Sequence, residues 1–127
     1  MSEGLEMAVA GVTLEDCVRE FSISVRLLDK RVGDEHLRKV SKFLPWKRIA
    51  PYLELKDFEV EAVDLEGNNE QEKRYKFLQT WKSKFAFKAT YKRLIEALLE
   101  CGRADHAEEV CKLLASLAPQ KGVYIAS

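Results

Sequence analysis

His36 and His106 are the chain's two imidazoles, and Cys17, Cys101 and Cys111 its three thiols, so any acid–base, nucleophilic or metal chemistry would have to start from them. The histidines fall in distant parts of the chain, and the carboxylates near His106, Glu108 and Glu109, are those of a solvated helix face. The cysteines are odd in number and show no CxxC spacing, which predicts reduced, largely buried thiols in a cytoplasmic protein. There is no glycine-rich phosphate loop, no GxSxG and no cysteine-protease motif. The chain is therefore expected to be no enzyme, with no cofactor, no metal and no small-molecule substrate.

Charge is the second source of chemistry, and it is sorted. From Glu54 to Glu72 eight acids stand against one base, Lys56, for a net of −7; from Lys73 to Arg93 there are eight bases and no acid, for +8. The whole chain sums to zero. Opposite-sign patches of this kind suit association with copies or relatives of the same domain. A nucleic-acid reading is the alternative: Lys73, Arg74, Lys76, Lys82, Lys84, Lys88, Lys92 and Arg93 could meet phosphates, with Tyr75 and Tyr91 for stacking. On helices, however, Tyr75 shares the face of Leu78, and Tyr91 that of Leu94 and Leu98, so both rings are expected in the core. Nucleic acid is accordingly the less favoured partner.

The elements that carry these groups read as helices. At 127 residues and 46% apolar content the chain is expected to be one domain with a tail. MSEGLEMAVAG is too polar and acidic for a signal peptide, and no apolar run approaches the ~18 residues of a membrane span. Leu14, Val18, Phe21, Val25, Leu28 and Val32 repeat at steps of four and three, predicting one amphipathic helix over 13–33, opened by Thr13 with Asp16 and closed by Gly33, although the Phe21-Ser22-Ile23-Ser24-Val25 alternation also permits a short strand there. Asp34 is expected to cap a second helix, stopped by Pro45. Trp46 opens a third, with Ile49 and Leu53 inside and Pro51 kinking or splitting it. Phe58, Ala62 and Leu65 lie at helical spacing beside Val60 and Val63. After a Gly67-Asn68-Asn69 turn, a long helix carries Tyr75, Leu78, Trp81 and Phe85 on one face. Thr90 caps a helix with Leu94 and Leu98 inside, Gly102 ends it, and Ala107, Val110, Cys111 and Leu114 mark the last. Residues 1–12 and 116–127 are expected to be flexible ends, with Val123-Tyr124-Ile125 a fraying segment.

Trp46-Lys47-Arg48-Ile49-Ala50, Leu53 to Val60, Glu70-Gln71, Leu78, Trp81, Ala89-Thr90, Leu94, Ala97-Leu98, Gly102 and Ala107 together resemble the death domain pattern, over Asp34 to Leu114, roughly two thirds of the chain. The resemblance implies an all-α, six-helix antiparallel Greek-key bundle over 34–115, with 13–33 as an accessory helix. It implies homotypic or heterotypic assembly with other death domains in apoptotic or innate-immune signalling, through asymmetric contacts that build higher-order oligomers. Glu54 and Lys56 depart from the glycine and capping serine usual in the family, and Pro51 is unusual, all at a corner the family uses for contact. Carried onto this chain, the acidic surface is Asp57, Glu59, Glu61 and Asp64, and the basic surface is drawn from Arg38, Lys42, Lys73, Lys76, Lys82, Lys84 and Lys88. Trp46, Ile49, Leu53, Leu78, Trp81, Leu94 and Leu98 are expected to be structural core.

Overall fold

Short-range hydrogen bonding sets most helix ends in the computed structural model, which describes residues 13–116. The Thr13 hydroxyl accepts the Asp16 N–H at 3.1 Å and the Asp16 carboxylate accepts the Thr13 N–H at 3.0 Å, a reciprocal box that opens α1 (Leu14–Phe21). The helix expected over 13–33 does not continue. Ser22 takes a left-handed conformation (φ 53°), and only a single turn, α2 (Val25–Leu28), follows. The break has a tertiary cause: Ile23, which lies off the four-and-three stripe, enters the core, whereas Val25, which lies on it, is 66% exposed.

Gly33 closes nothing; it precedes α3 (Asp34–Val40) and donates its N–H to the Tyr91 hydroxyl at 3.1 Å. Asp34 is the first residue of that helix and not its cap, because its carboxylate turns to Lys82 at 2.9 Å. Trp46 begins the one-turn α4 (Trp46–Ile49), and the split expected from Pro51 is a change to 3₁₀ geometry over Ala50–Leu53. The next helix, α5 (Asp57–Glu66), starts where the Glu59 carboxylate accepts the Lys56 N–H at 2.8 Å. The Asn69 side chain caps α6 (Glu70–Phe85) through the Glu72 N–H at 2.8 Å. A 3₁₀ turn, Ala86–Lys88, leads to α7 (Tyr91–Glu100), capped by the Thr90 hydroxyl. Gly102, at φ 83°, ends α7 in a Schellman motif: its N–H reaches the Leu99 carbonyl at 3.1 Å and the Arg103 N–H the Leu98 carbonyl at 2.9 Å. The last helix is α8 (Ala104–Ala115).

The described residues are thus all helical, with one isolated bridge between Arg31 and Thr90 and no strand. At the centre α6 buries Phe77, Leu78 and Trp81. The Trp46 ring lies 5.7 Å from that of Phe77, and its indole N–H donates to Glu70 at 2.8 Å. Ile49, Leu53, Leu94 and Leu98 complete this core, none more than 1% exposed. Phe77 falls outside the face traced by Tyr75, Leu78, Trp81 and Phe85 yet is fully buried, while Tyr75 and Phe85 are only half-buried. The α7–α8 hairpin buries Ala107, Val110, Cys111 and Leu114, and α1 lies on it. Residues 13–33 share this single core through Cys17, Ile23, Leu27, Leu28 and Val32. All three cysteines are free and buried, and burial pushes each thiol's pKa up. The expectations for 1–12 and 117–127 lie outside the described residues.

Two measurements test this account. Trp81→Ala should lower unfolding free energy by about 3–5 kcal/mol in urea titrations, since it empties a fully enclosed site. Ala86 sits at φ 50°, ψ −121°, so Ala86→Gly should raise the melting temperature, the backbone strain of about 1–3 kcal/mol exceeding the cost of the added freedom.

Candidate interaction surface

The helix that carries the acidic residues is held to the bundle thinly. Val63 is the one side chain of α5 that is fully buried, with Val60 half-buried beside it. Ion pairs supply the rest of the attachment. Lys73 binds Asp64 at 2.8 Å and Lys47 approaches the same carboxylate at 3.4 Å, joining the end of α5 to α6 and α4. At the other end Lys84 binds Glu59 at 2.9 Å and also donates to the Glu54 carbonyl at 3.2 Å. The Lys56 N–H, and after it Lys84, hold the Glu59 carboxyl below the usual range; Lys73 does the same for Asp64. Lys73 is raised in turn by Asp64.

The −7 and +8 runs are therefore not two opposite faces. They interleave, because α5 and α6 pack side by side. Besides the pairs above, Arg74 reaches Glu70 at 3.8 Å, Arg93 reaches Glu54 at 3.7 Å, and Lys82 goes to Asp34 on α3. Of the acidic set, Asp57 and Glu61 are exposed and form no ion pair among the described residues; Glu59 and Asp64 are engaged. Of the basic set, Lys73, Lys82 and Lys84 are engaged, while Lys42, Lys76 and Lys88 meet no acid among the described residues. Arg38 lies with its guanidinium 4.6 Å above the Tyr75 ring, and the neighbouring Lys42 carbonyl accepts from Arg74 at 3.1 Å. Arg38, Lys42 and Tyr75 line a groove between α3 and α6.

Sequence periodicity missed the direction of α5. Phe58 and Leu65 are 67% and 86% exposed, and with Glu61 and Ala62 between them they form the helix's outer strip. The signal was present but two-sided, since Val60 and Val63 offer a second apolar strip on the same helix. Groups at metal-ligand distance are absent among the described residues, and no helix there is long and apolar enough to cross a membrane. His106 contacts Arg103 at 3.1 Å and its ring lies 4.9 Å from that of Phe43, while His36 and Tyr91 share a hydrogen bond of 2.6 Å. Both histidines serve packing.

A family model for the death domain matches residues 34–114. The chain belongs to the death domain family. Its helices α3 to α8 are the six of the family's Greek-key bundle, and α1 and α2 precede the match. Death domains are non-catalytic protein-interaction modules, which places the α5 surface and the groove beside Arg38 on a domain built for contact. The chain is also similar to THO complex subunit 1 of Homo sapiens, 32% identical over 84 residues that cover 65% of this chain and 13% of that protein. The Mus musculus THO complex subunit 1 is 30% identical over the same length and shares. The chain thus spans about an eighth of the length of these relatives.

The lowered carboxyls of this death domain set its acid response. A depressed carboxyl contributes stability that is complete above its ordinary value, 4.5 for Glu59 and 3.8 for Asp64, and is lost as pH falls through the lowered one. Melting temperature should therefore drop on acidification below about pH 4.5, and Glu59→Gln with Asp64→Asn should make that drop shallower while lowering stability at pH 7. Thermal melts followed by circular dichroism across pH 2–7 decide it.

Proposed function

We propose that this chain acts as an adaptor-type module, joining other death domains, copies of itself included, in apoptotic or innate-immune signal transduction in the cytoplasm. Family membership supports the class of activity. The observation that carries the surface is charge that forms no ion pair among the described residues, Asp57 and Glu61 on the outer side of α5 and Lys42, Lys76 and Lys88 elsewhere being part of it. An exposed ion pair contributes only ~0–1 kcal/mol, so a single contact is weak. Several contacts made together, when subunits are gathered on a receptor or scaffold, raise effective concentration and make assembly switch-like. The relatives favour a second reading within the same class. They are named as subunits of a complex, and the module would then fasten a multi-subunit assembly rather than a signalling one.

A nucleic-acid surface draws less support. Lys73, Arg74, Lys82, Lys84 and Arg93 are committed to internal acids, Tyr91 is buried, and Tyr75 lies under Arg38. Purified death domains, with this chain among them, should bind the immobilised chain at low salt and weaken as salt rises. Asp57→Lys and Glu61→Lys should each abolish capture with an unchanged melting temperature. Capture that survives both reversals would reduce the acidic strip to a solvated helix face.

A further inference from the structure

A cleft of about 250 Å³ opens at the corner where the 3₁₀ turn after α4, the end of α6 and the start of α7 meet. Leu53, Trp81 and Phe85 form its apolar lining, and Glu54, Lys88 and Arg93 its rim. A cavity of about 150 Å³ lined by apolar side chains is enough for benzene, so this one accommodates a phenyl ring. Lys88 is exposed and pairs with no acid among the described residues, whereas Arg93 donates to the Tyr52 carbonyl and has Glu54 at 3.7 Å. The cleft is thus apolar inside and cationic at its edge.

The same chain carries a group that fits this description in reverse. Phe58 is 67% exposed on the outer strip of α5, and its neighbours there, Asp57 and Glu61, form no ion pair among the described residues. Leaving a phenyl ring in water forgoes favourable burial, which an interface recovers. The nearer uses of both features are closed. Lys84 spans from the Glu54 carbonyl to Glu59 and fixes the corner, so Phe58 stays outside its own cleft.

We propose that Phe58 of one copy seats in the Leu53–Trp81–Phe85 cleft of a second copy, with Asp57 and Glu61 meeting Lys88 across the contact. This rests on the assembly reading above and names its partner surface. It puts an apolar anchor inside a ring of opposite charges, the arrangement in which one side chain dominates affinity. It also accounts for the Lys88 ammonium, which meets no acid among the described residues. The Glu54 to Asp57 corner, where the sequence leaves the pattern of its family, forms one side of this contact.

Sedimentation velocity of the full chain over a concentration series tests it, with circular dichroism melts verifying that each variant folds. The wild type should self-associate, and Phe58→Ala should weaken this about tenfold or more. Glu61→Lys and Lys88→Glu should each fail to self-associate, and an equimolar mixture of the two should associate again, because the unaltered strip of the Lys88→Glu copy meets the unaltered cleft of the Glu61→Lys copy. A wild type that remains monomeric at every concentration overturns the proposal, as does Phe58→Ala behaving as wild type or a mixture that does not recover. If the mixture fails while Asp57→Lys and Glu61→Lys still abolish capture of other death domains, the cleft is the wrong partner surface and the assembly reading stands. If those reversals leave capture intact, the assembly reading itself fails.

Discussion

The Trp46 indole is held from two sides, its ring against Phe77 and its N–H on the Glu70 carboxylate, and the arrangement of the bundle follows from this clasp. Both partners belong to α6, so one side chain locks α4 to the central helix at a fixed distance and rotation. Burying an indole is favourable only if its N–H finds an acceptor, which ties the position of Glu70 to that of Trp46. With α4 and α6 set, α5 is simply the length of chain that returns from one to the other. It needs little core of its own, and Val63 is what it contributes in full.

That economy explains why charge does so much along α5. Its two ends are fastened by lysines from α6, and a third from α4 also reaches Asp64. Such pairs are individually weak, but the two from α6 are partly shielded, and Lys84 also meets a backbone acceptor. The sorting of charge along the sequence thus serves the fold first. Only what remains after pairing is available to a partner.

Much of the fold was legible because the relevant forces act over three or four residues. Thr13, Asn69 and Thr90 cap helices through their own downstream amides, Pro51 changes the helix type where it stands, and Gly102 supplies a left-handed stop. What was not legible depends on neighbours distant in sequence. The turn at Ser22 exists to bury Ile23, and no local rule distinguishes it from a continuing stripe. The burial of Phe77 reflects Trp46, 31 positions away in the chain by subtraction of their numbers. On α5 two apolar strips compete, and periodicity reports a strip without reporting which way it points. The candidate surface shared this fate: its residue types were visible, but which charges stay unpaired is decided by packing between helices.

The thin attachment of α5 has a consequence for how such a domain changes over generations. Phe58, Glu61 and Leu65 touch no structural neighbour that the core requires, so replacements there are close to neutral for folding. Replacements at Val63, Glu59 or Asp64 are not. Partner preference and foldedness are written on different sides of the same ten-residue helix. A lineage can therefore revise whom the module meets while leaving intact the reasons it holds together.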